Sequence, residues 1–158
     1  MRIDLFGWTL IIRSGAWIPI LVMIPNVLWM LFPPVDPGSP ADEPLPLVIP
    51  ERAGLAAVLV LPFCYSLDLQ KPFAVPVLIG MGLLLAGYYF CWARYFAGGR
   101  PAAMLGAPFL GVPVPMAVFP VLFLVLSSYL MGSGWMFAAS LIFGAAHIWI
   151  SKISLPGK

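Results

Sequence analysis

The stretch that decides the fold is residues 101–151, PAAMLGAPFLGVPVPMAVFPVLFLVLSSYLMGSGWMFAASLIFGAAHIWIS, which contains no Asp, Glu, Lys or Arg. A single helix of these 51 residues would be about 77 Å long, more than twice the roughly 30 Å of a bilayer's hydrocarbon core. The stretch must therefore fold back on itself. Gly132-Ser133-Gly134 is typical of the turn, so we predict two spans, at residues 112–131 and 135–151.

The composition of the whole chain agrees with a lipid environment. Hydrophobic residues make up 62% of the 158 positions and charged residues 9%, against about 45–50% and 25% in soluble domains. A water-soluble fold of this size would lack the polar residues to cover its surface. The net charge of +2 is small and scattered, which argues against a nucleic-acid partner.

The scattered charges mark further spans outside the uncharged stretch. We predict three, at residues 16–33, 51–69 and 73–93, so the fold class is an all-α polytopic membrane bundle of about five helices in one domain, residues 1–158. Residues 33–50 hold seven prolines and three acids, which predicts an extended, water-exposed loop. Residues 5–12 are too short to span and are interpreted as an interfacial lead-in.

Pairing the predicted helices end to end brings most of the ionisable groups to one end of the bundle, side A, which also holds the acidic loop and the C-terminus. The candidate cluster is Glu51, Arg52, Arg94, Arg100, His147, Ser151 and Lys152. As a functional site, Glu51 or His147 would accept a proton. Arg94, Arg100 and Lys152 would hold an anionic headgroup or phosphate. As ordinary interfacial anchors, the same groups would accompany an aromatic belt of Trp92, Tyr95 and Trp149.

Metal and cofactor sites are not expected. The chain has one histidine and two cysteines, Cys64 and Cys91, with no metal-ligand spacing among them. Gly80, Gly82 and Gly87 predict close helix packing on the third span. Pro113, Pro115 and Pro120 either expose carbonyl groups to a cavity or only shape the fourth span.

The balance of Lys and Arg gives an orientation. Side A carries five of these residues (Arg52, Arg94, Arg100, Lys152 and Lys158) and side B three (Arg2, Arg13 and Lys71). The positive-inside rule therefore favours side A in the cytoplasm, with the N-terminus outside and the C-terminus inside.

Several segments carry a resemblance: Glu51-Arg52-Ala53-Gly54, Arg94-Tyr95 with Gly99-Arg100, Pro113 to Ala117, and Phe143-Gly144 with His147. The series resembles a group of small bacterial polytopic membrane proteins to which no activity is attached. The resemblance implies a multi-pass protein of the bacterial inner membrane. The tryptophan-rich sensory protein family has a similar length and span number, but its loop tryptophans are absent from residues 33–50.

Three functions remain open from sequence. The first is an accessory protein that binds membrane lipid or a small ligand, or associates with copies of itself or other membrane subunits. The second is a small transporter or channel-like oligomer. The third is an intramembrane enzyme that uses Glu51, Arg94 and His147 on side A.

Overall fold

The computed structural model describes residues 13–37 and 43–154. The lead-in at residues 5–12, part of the acidic loop, Arg2 and Lys158 lie outside the described residues. The fold is all-helical, and no strand occurs among the described residues. Within residues 13–37 and 43–154 the α-helices are α1 (Trp17–Leu31), α2 (Leu45–Val60), α3 (Ala74–Ala97), α4 (Pro115–Met131) and α5 (Gly134–Ile153).

Three helical segments in the described part of the chain are long and apolar enough to cross a membrane. They are α2 with its 3-10 extension, Leu45–Cys64, together with α3 and α5. The helices α1 and α4 are equally apolar but shorter, with 15 and 17 residues. At 1.5 Å per residue they measure about 22 and 26 Å.

The acidic loop differs from its prediction, because α2 begins at Leu45 and includes Pro46 and Pro50. Pro46 is the second residue of the helix, where a backbone N–H has no helical acceptor in any case. Pro50 removes only the bond to the carbonyl of Pro46, which lies in an exposed first turn. The prolines therefore shape the start of α2 instead of preventing it.

The turn between α4 and α5 follows directly from its residues. Gly132 ends α4 with a φ of 62°, a conformation that glycine adopts without steric penalty. Ser133 then caps α5, because its hydroxyl accepts a hydrogen bond of 3.1 Å from the Met136 backbone.

Helix α5 lies between α2 and α4, and two glycines make these approaches close. A Cβ atom on Gly54 of α2 would come within 2.8 Å of the Phe143 backbone nitrogen. A Cβ atom on Gly144 would come within 2.4 Å of a Val121 methyl group on α4. Only glycine permits helices to pack at these distances.

The glycines of α3 pack mainly within the chain. Gly87 faces the Phe119 ring of α4, and Gly80 faces Leu126 of the same helix. A Cβ atom on Gly82 would meet no described residue within 4 Å. Of the three glycines predicted to allow close helix packing, Gly80 and Gly87 therefore pack against α4.

Helix α1 is attached to α3 by tyrosine hydroxyls. Pro25 has no N–H, so it leaves the carbonyl of Leu21 without its helical donor. Tyr89 donates a hydrogen bond of 2.8 Å to that carbonyl. Tyr88 donates to the Val22 carbonyl at 3.1 Å. The proline in α1 is thus compensated by a neighbouring helix, as expected for a membrane bundle.

The loops that follow α1 and α3 are joined on side A. The Asp36 carboxylate accepts a hydrogen bond of 2.7 Å from the backbone N–H of Ala102. The Val35 N–H donates to the Arg100 carbonyl at 3.1 Å. These contacts hold the end of α1 beside the short 3-10 helix Ala102–Gly106.

Candidate functional site

The site is centred on a carboxylate and an imidazole from two different helices. Glu51 lies one turn before Gly54 on α2, and His147 lies one turn after Phe143 on α5. Because Gly54 and Phe143 are in backbone contact, the residues one turn away on each helix meet at the same level. Glu51 Oε1 and His147 Nδ1 are 2.8 Å apart.

The pair lies at the edge of the buried interior. The Glu51 side chain is 8% exposed and the His147 side chain 32%. The imidazole stacks on the Phe143 ring with centroids 4.8 Å apart. A carboxylate on Nδ1 fixes the orientation of the imidazole and, in the neutral ring, places the lone pair on Nε2.

The second oxygen of Glu51 is less well satisfied. Arg52 Nε lies 3.9 Å from Oε2, beyond hydrogen-bonding distance. The Arg52 side chain is 67% exposed, so its charge is largely screened by solvent. Among the described residues, no hydrogen bond to Oε2 is found.

Glu51 and His147 line a large cavity on the inner side of α2. Its volume is about 990 Å³, at the upper end of the range for small-molecule sites. All five helices contribute to its walls. The apolar side chains of the lining include Pro19, Val22, Met23, Leu55, Leu59, Met116, Ala117, Leu124 and Phe143.

The α2 wall shows how the sequence forms this surface. Glu51, Leu55 and Leu59 follow at intervals of four and so lie on one helical face, and all three line the cavity. On α4, Pro120 and Met116 line it as well. Pro120 cannot donate to the Met116 carbonyl, which leaves a backbone acceptor without its helical donor in this wall.

A second polar group lies in the wall formed by α1 and α3. The Asn26 amide donates to the Tyr88 hydroxyl at 2.8 Å, and both residues line the cavity. The Trp92 indole N–H is buried and makes no hydrogen bond of acceptable geometry with a described residue, although the Tyr88 hydroxyl is a near neighbour. The cavity therefore has polar groups in two walls of otherwise carbon-rich character.

The predicted side A cluster divides into two groups in the structure. Glu51, Arg52, His147 and Ser151 line the cavity. Ser151, which sequence spacing places one turn from His147, makes no hydrogen bond to it; the polar partner of His147 among the described residues is Glu51. Lys152 is exposed and does not line the cavity.

The other two arginines lie away from the cavity. The Arg94 guanidinium is 5.9 Å from the centre of the Phe109 ring, and Arg100 donates to the Pro33 carbonyl at 3.4 Å. Of the three residues predicted to converge, Glu51 and His147 meet in the structure. Arg94 lies outside the cavity that they line. Helix length fixes the depth of a residue but not the direction in which it faces.

The aromatic belt predicted from Trp92, Tyr95 and Trp149 is also only partly present, because the depth of a residue does not fix the direction in which it faces. Trp149 is 60% exposed, but Trp92 and Tyr95 are 7% and 0% exposed and form part of the core. They lie near the end of α3, as predicted, but on the helical face that packs into the core. The signal that could have identified them is their spacing from Tyr88, which places Tyr88, Trp92 and Tyr95 on one face.

A smaller depression of about 550 Å³ lies at the opposite end of the bundle, beside Lys71 and Tyr129. This depression is shallower than the cavity, and the Lys71 ammonium group beside it already donates a hydrogen bond of 2.7 Å to the Tyr129 carbonyl. The larger cavity is therefore the candidate site.

Comparisons with protein-family models, curated proteins and solved structures found no match for this chain.

Proposed function

We propose that this chain is a multi-pass protein of a bacterial inner membrane in which all five helices span. Three helices have the length and composition of membrane spans. The shorter α1 and α4 pack against α3, and a modest shortfall in length is accommodated by local bilayer thinning. The Lys and Arg balance supports an outer N-terminus and an inner C-terminus.

We further propose that the protein binds an amphipathic small molecule or lipid in its cavity. The observation that carries this proposal is the combination of about 990 Å³ of space with carbon-rich walls and the Glu51–His147 pair. A hydrocarbon chain fits such walls, while the carboxylate and imidazole offer hydrogen bonds to a polar headgroup. Membrane lipid is the partner class that this chemistry favours.

The test is to identify molecules that copurify with the protein by native mass spectrometry. Leu59→Trp places a large ring in the cavity wall, and Val60→Trp places the same ring on a surface that is 63% exposed and outside the lining. We expect a bound amphiphile on the wild type and on Val60→Trp, and its loss from Leu59→Trp. Equal occupancy of all three would contradict the proposal.

A second candidate function is that of an intramembrane enzyme. The specific observation in its favour is the 2.8 Å bond between a buried carboxylate and Nδ1 of a cavity-lining imidazole, an arrangement that orients a general base. Its test is turnover of acyl-ester amphiphiles by the purified protein. We expect turnover to be lost in His147→Gln if the pair is catalytic, and no turnover above buffer would remove this candidate.

A further inference from the structure

One oxygen of the cavity-lining Glu51 carboxylate has no hydrogen-bond donor among the described residues. The Glu51 side chain is more than nine-tenths buried, its Oε1 is bonded to His147, and its Oε2 has no hydrogen bond from a described residue. The carboxylate also lines the cavity. A buried carboxylate is costly unless donors or a cation satisfy both of its oxygens.

The cavity's other charged groups do not supply that cation. Arg52 is 3.9 Å from Oε2 and two-thirds exposed, and Glu43, the remaining charged residue of the lining, is itself an acid. A neutral His147 donates one hydrogen bond and no charge. The cavity therefore favours positive charge near Oε2.

Apart from the largely exposed Arg52, the basic residues of the predicted cluster lie outside the cavity lining. Arg94 is placed over Phe109 and Arg100 on the Pro33 carbonyl, and Lys152 is exposed outside the lining. A headgroup whose only charge is a phosphate or carboxylate would place a like charge beside Glu51. An ammonium group instead offers several donors and a complementary charge in one compact group.

We infer that the cavity is selective for an amphiphile with an ammonium headgroup, which donates to Glu51 Oε2 while its chain lies along the apolar wall of Leu55 and Leu59. This inference rests on the proposed binding function and names the ligand class for the same site. The ammonium group belongs either to an aminophospholipid headgroup or to a free long-chain amine.

The experiment compares single-chain ligands that differ only in their headgroup. The full-length protein in phosphatidylcholine nanodiscs is photolabelled at pH 8 with a photoreactive alkylammonium, in competition with dodecylammonium, dodecanol, dodecanoate or lysophosphatidylethanolamine. Empty nanodiscs give the partition background. The two amine competitors separate a free amine from a lipid headgroup by their relative potency.

In the wild type we expect ammonium competitors to act at concentrations about tenfold or more below those of dodecanol, as a charge-assisted bond implies. Glu51→Gln keeps the size and hydrogen-bonding capacity of the side chain but removes its charge. This variant should reduce the preference for ammonium over dodecanol to about twofold, because the charge-assisted part of the bond is lost. Asp68→Asn removes an exposed acid whose carboxylate accepts from Gln70, and it should behave as the wild type.

The outcomes distinguish a failure of the ammonium preference from a failure of the proposed amphiphile binding. If all headgroups compete equally, or if Glu51→Gln retains the preference for ammonium, the inference is overturned while the binding function stands. If the photoreactive ligand labels no cavity residue and no competitor reduces labelling, both are overturned. Tryptophan fluorescence on thermal unfolding checks that Glu51→Gln is folded.

Discussion

Gly54 of α2 and Phe143 of α5 lie in backbone contact, so that a Cβ atom at position 54 would come within 2.8 Å of the Phe143 nitrogen. This contact sets the separation of the two helices that carry Glu51 and His147. The candidate site thus depends on a residue that has no side chain and does not line the cavity.

Gly54→Ala is expected to force α2 and α5 apart, because the nearest atoms are backbone and cannot rotate away. Overpacking of this kind costs about 1–3 kcal/mol of folding free energy. Thermal unfolding in detergent, followed by circular dichroism, measures the effect. Gly82→Ala is the matched control, since its Cβ would meet no neighbour among the described residues. Equal melting temperatures for the two variants would contradict the assigned α2–α5 contact.

Tyr89→Phe should weaken the attachment of α1, because it removes the donor to the Leu21 carbonyl that Pro25 leaves open. Hydrogen bonds between membrane helices contribute about 0.6 kcal/mol on average and up to about 1.7. In a Pro25→Ala background the backbone N–H of residue 25 satisfies Leu21, so the same change should cost less. A double-mutant cycle on unfolding free energy measures the coupling, and strict additivity would show that the two residues are not linked in this way.

His147→Ala should destabilise the fold more than Glu51→Gln does. The histidine change leaves a buried carboxylate without its hydrogen bond, and such a loss costs about 1–3 kcal/mol. Glutamine at position 51 keeps a polar partner for the imidazole and carries no charge. Because the imidazole is one-third exposed, solvent partly replaces the lost hydrogen bond. We therefore expect the difference in unfolding free energy between the two variants to lie toward the lower end of that range. Unfolding free energies measured in the same detergent give the comparison, and a larger loss in Glu51→Gln would contradict the assigned roles.

Membrane topology is tested by single cysteines in a Cys64→Ala, Cys91→Ala background. Three exposed positions report on three connections. Gln70 lies between α2 and α3, Ala103 lies between α3 and α4, and Gly134 is the first residue of α5. Five spans with an outer N-terminus predict that a membrane-impermeant maleimide labels Gln70→Cys and Gly134→Cys in intact cells. Ala103→Cys should be labelled only after lysis. If α4 did not cross, Gly134→Cys would share the accessibility of Ala103→Cys instead.

The helical class and the turn at Gly132 could be predicted because charges and glycines punctuate an otherwise apolar chain. Depth along the bundle could be predicted as well, since 1.5 Å per residue fixes it, and this rise puts Glu51 and His147 at one level. The direction in which each residue faces could not be predicted from weakly patterned apolar helices. Arg94 and Trp92 therefore differ from their predicted surroundings, although their depth does not.

The cavity itself has no local signal in the sequence. Its walls come from all five helices, and its shape depends on how closely they pack. The start of α2 could not be predicted for a different reason. Proline density indicates a loop, yet Pro46 lies where a helix needs no N–H donor.

Occupation of this cavity by an amphiphile is tested most directly by mapping the adducts of a photoreactive alkyl ligand with peptide mass spectrometry. We predict adducts on Leu55, Leu59 and Met116 that an excess of unlabelled ligand removes. Val60 and Leu83, which are 63% and 70% exposed, report contact with the surrounding bilayer. Adducts concentrated on Val60 and Leu83, unaffected by the unlabelled ligand, would contradict the proposed binding function.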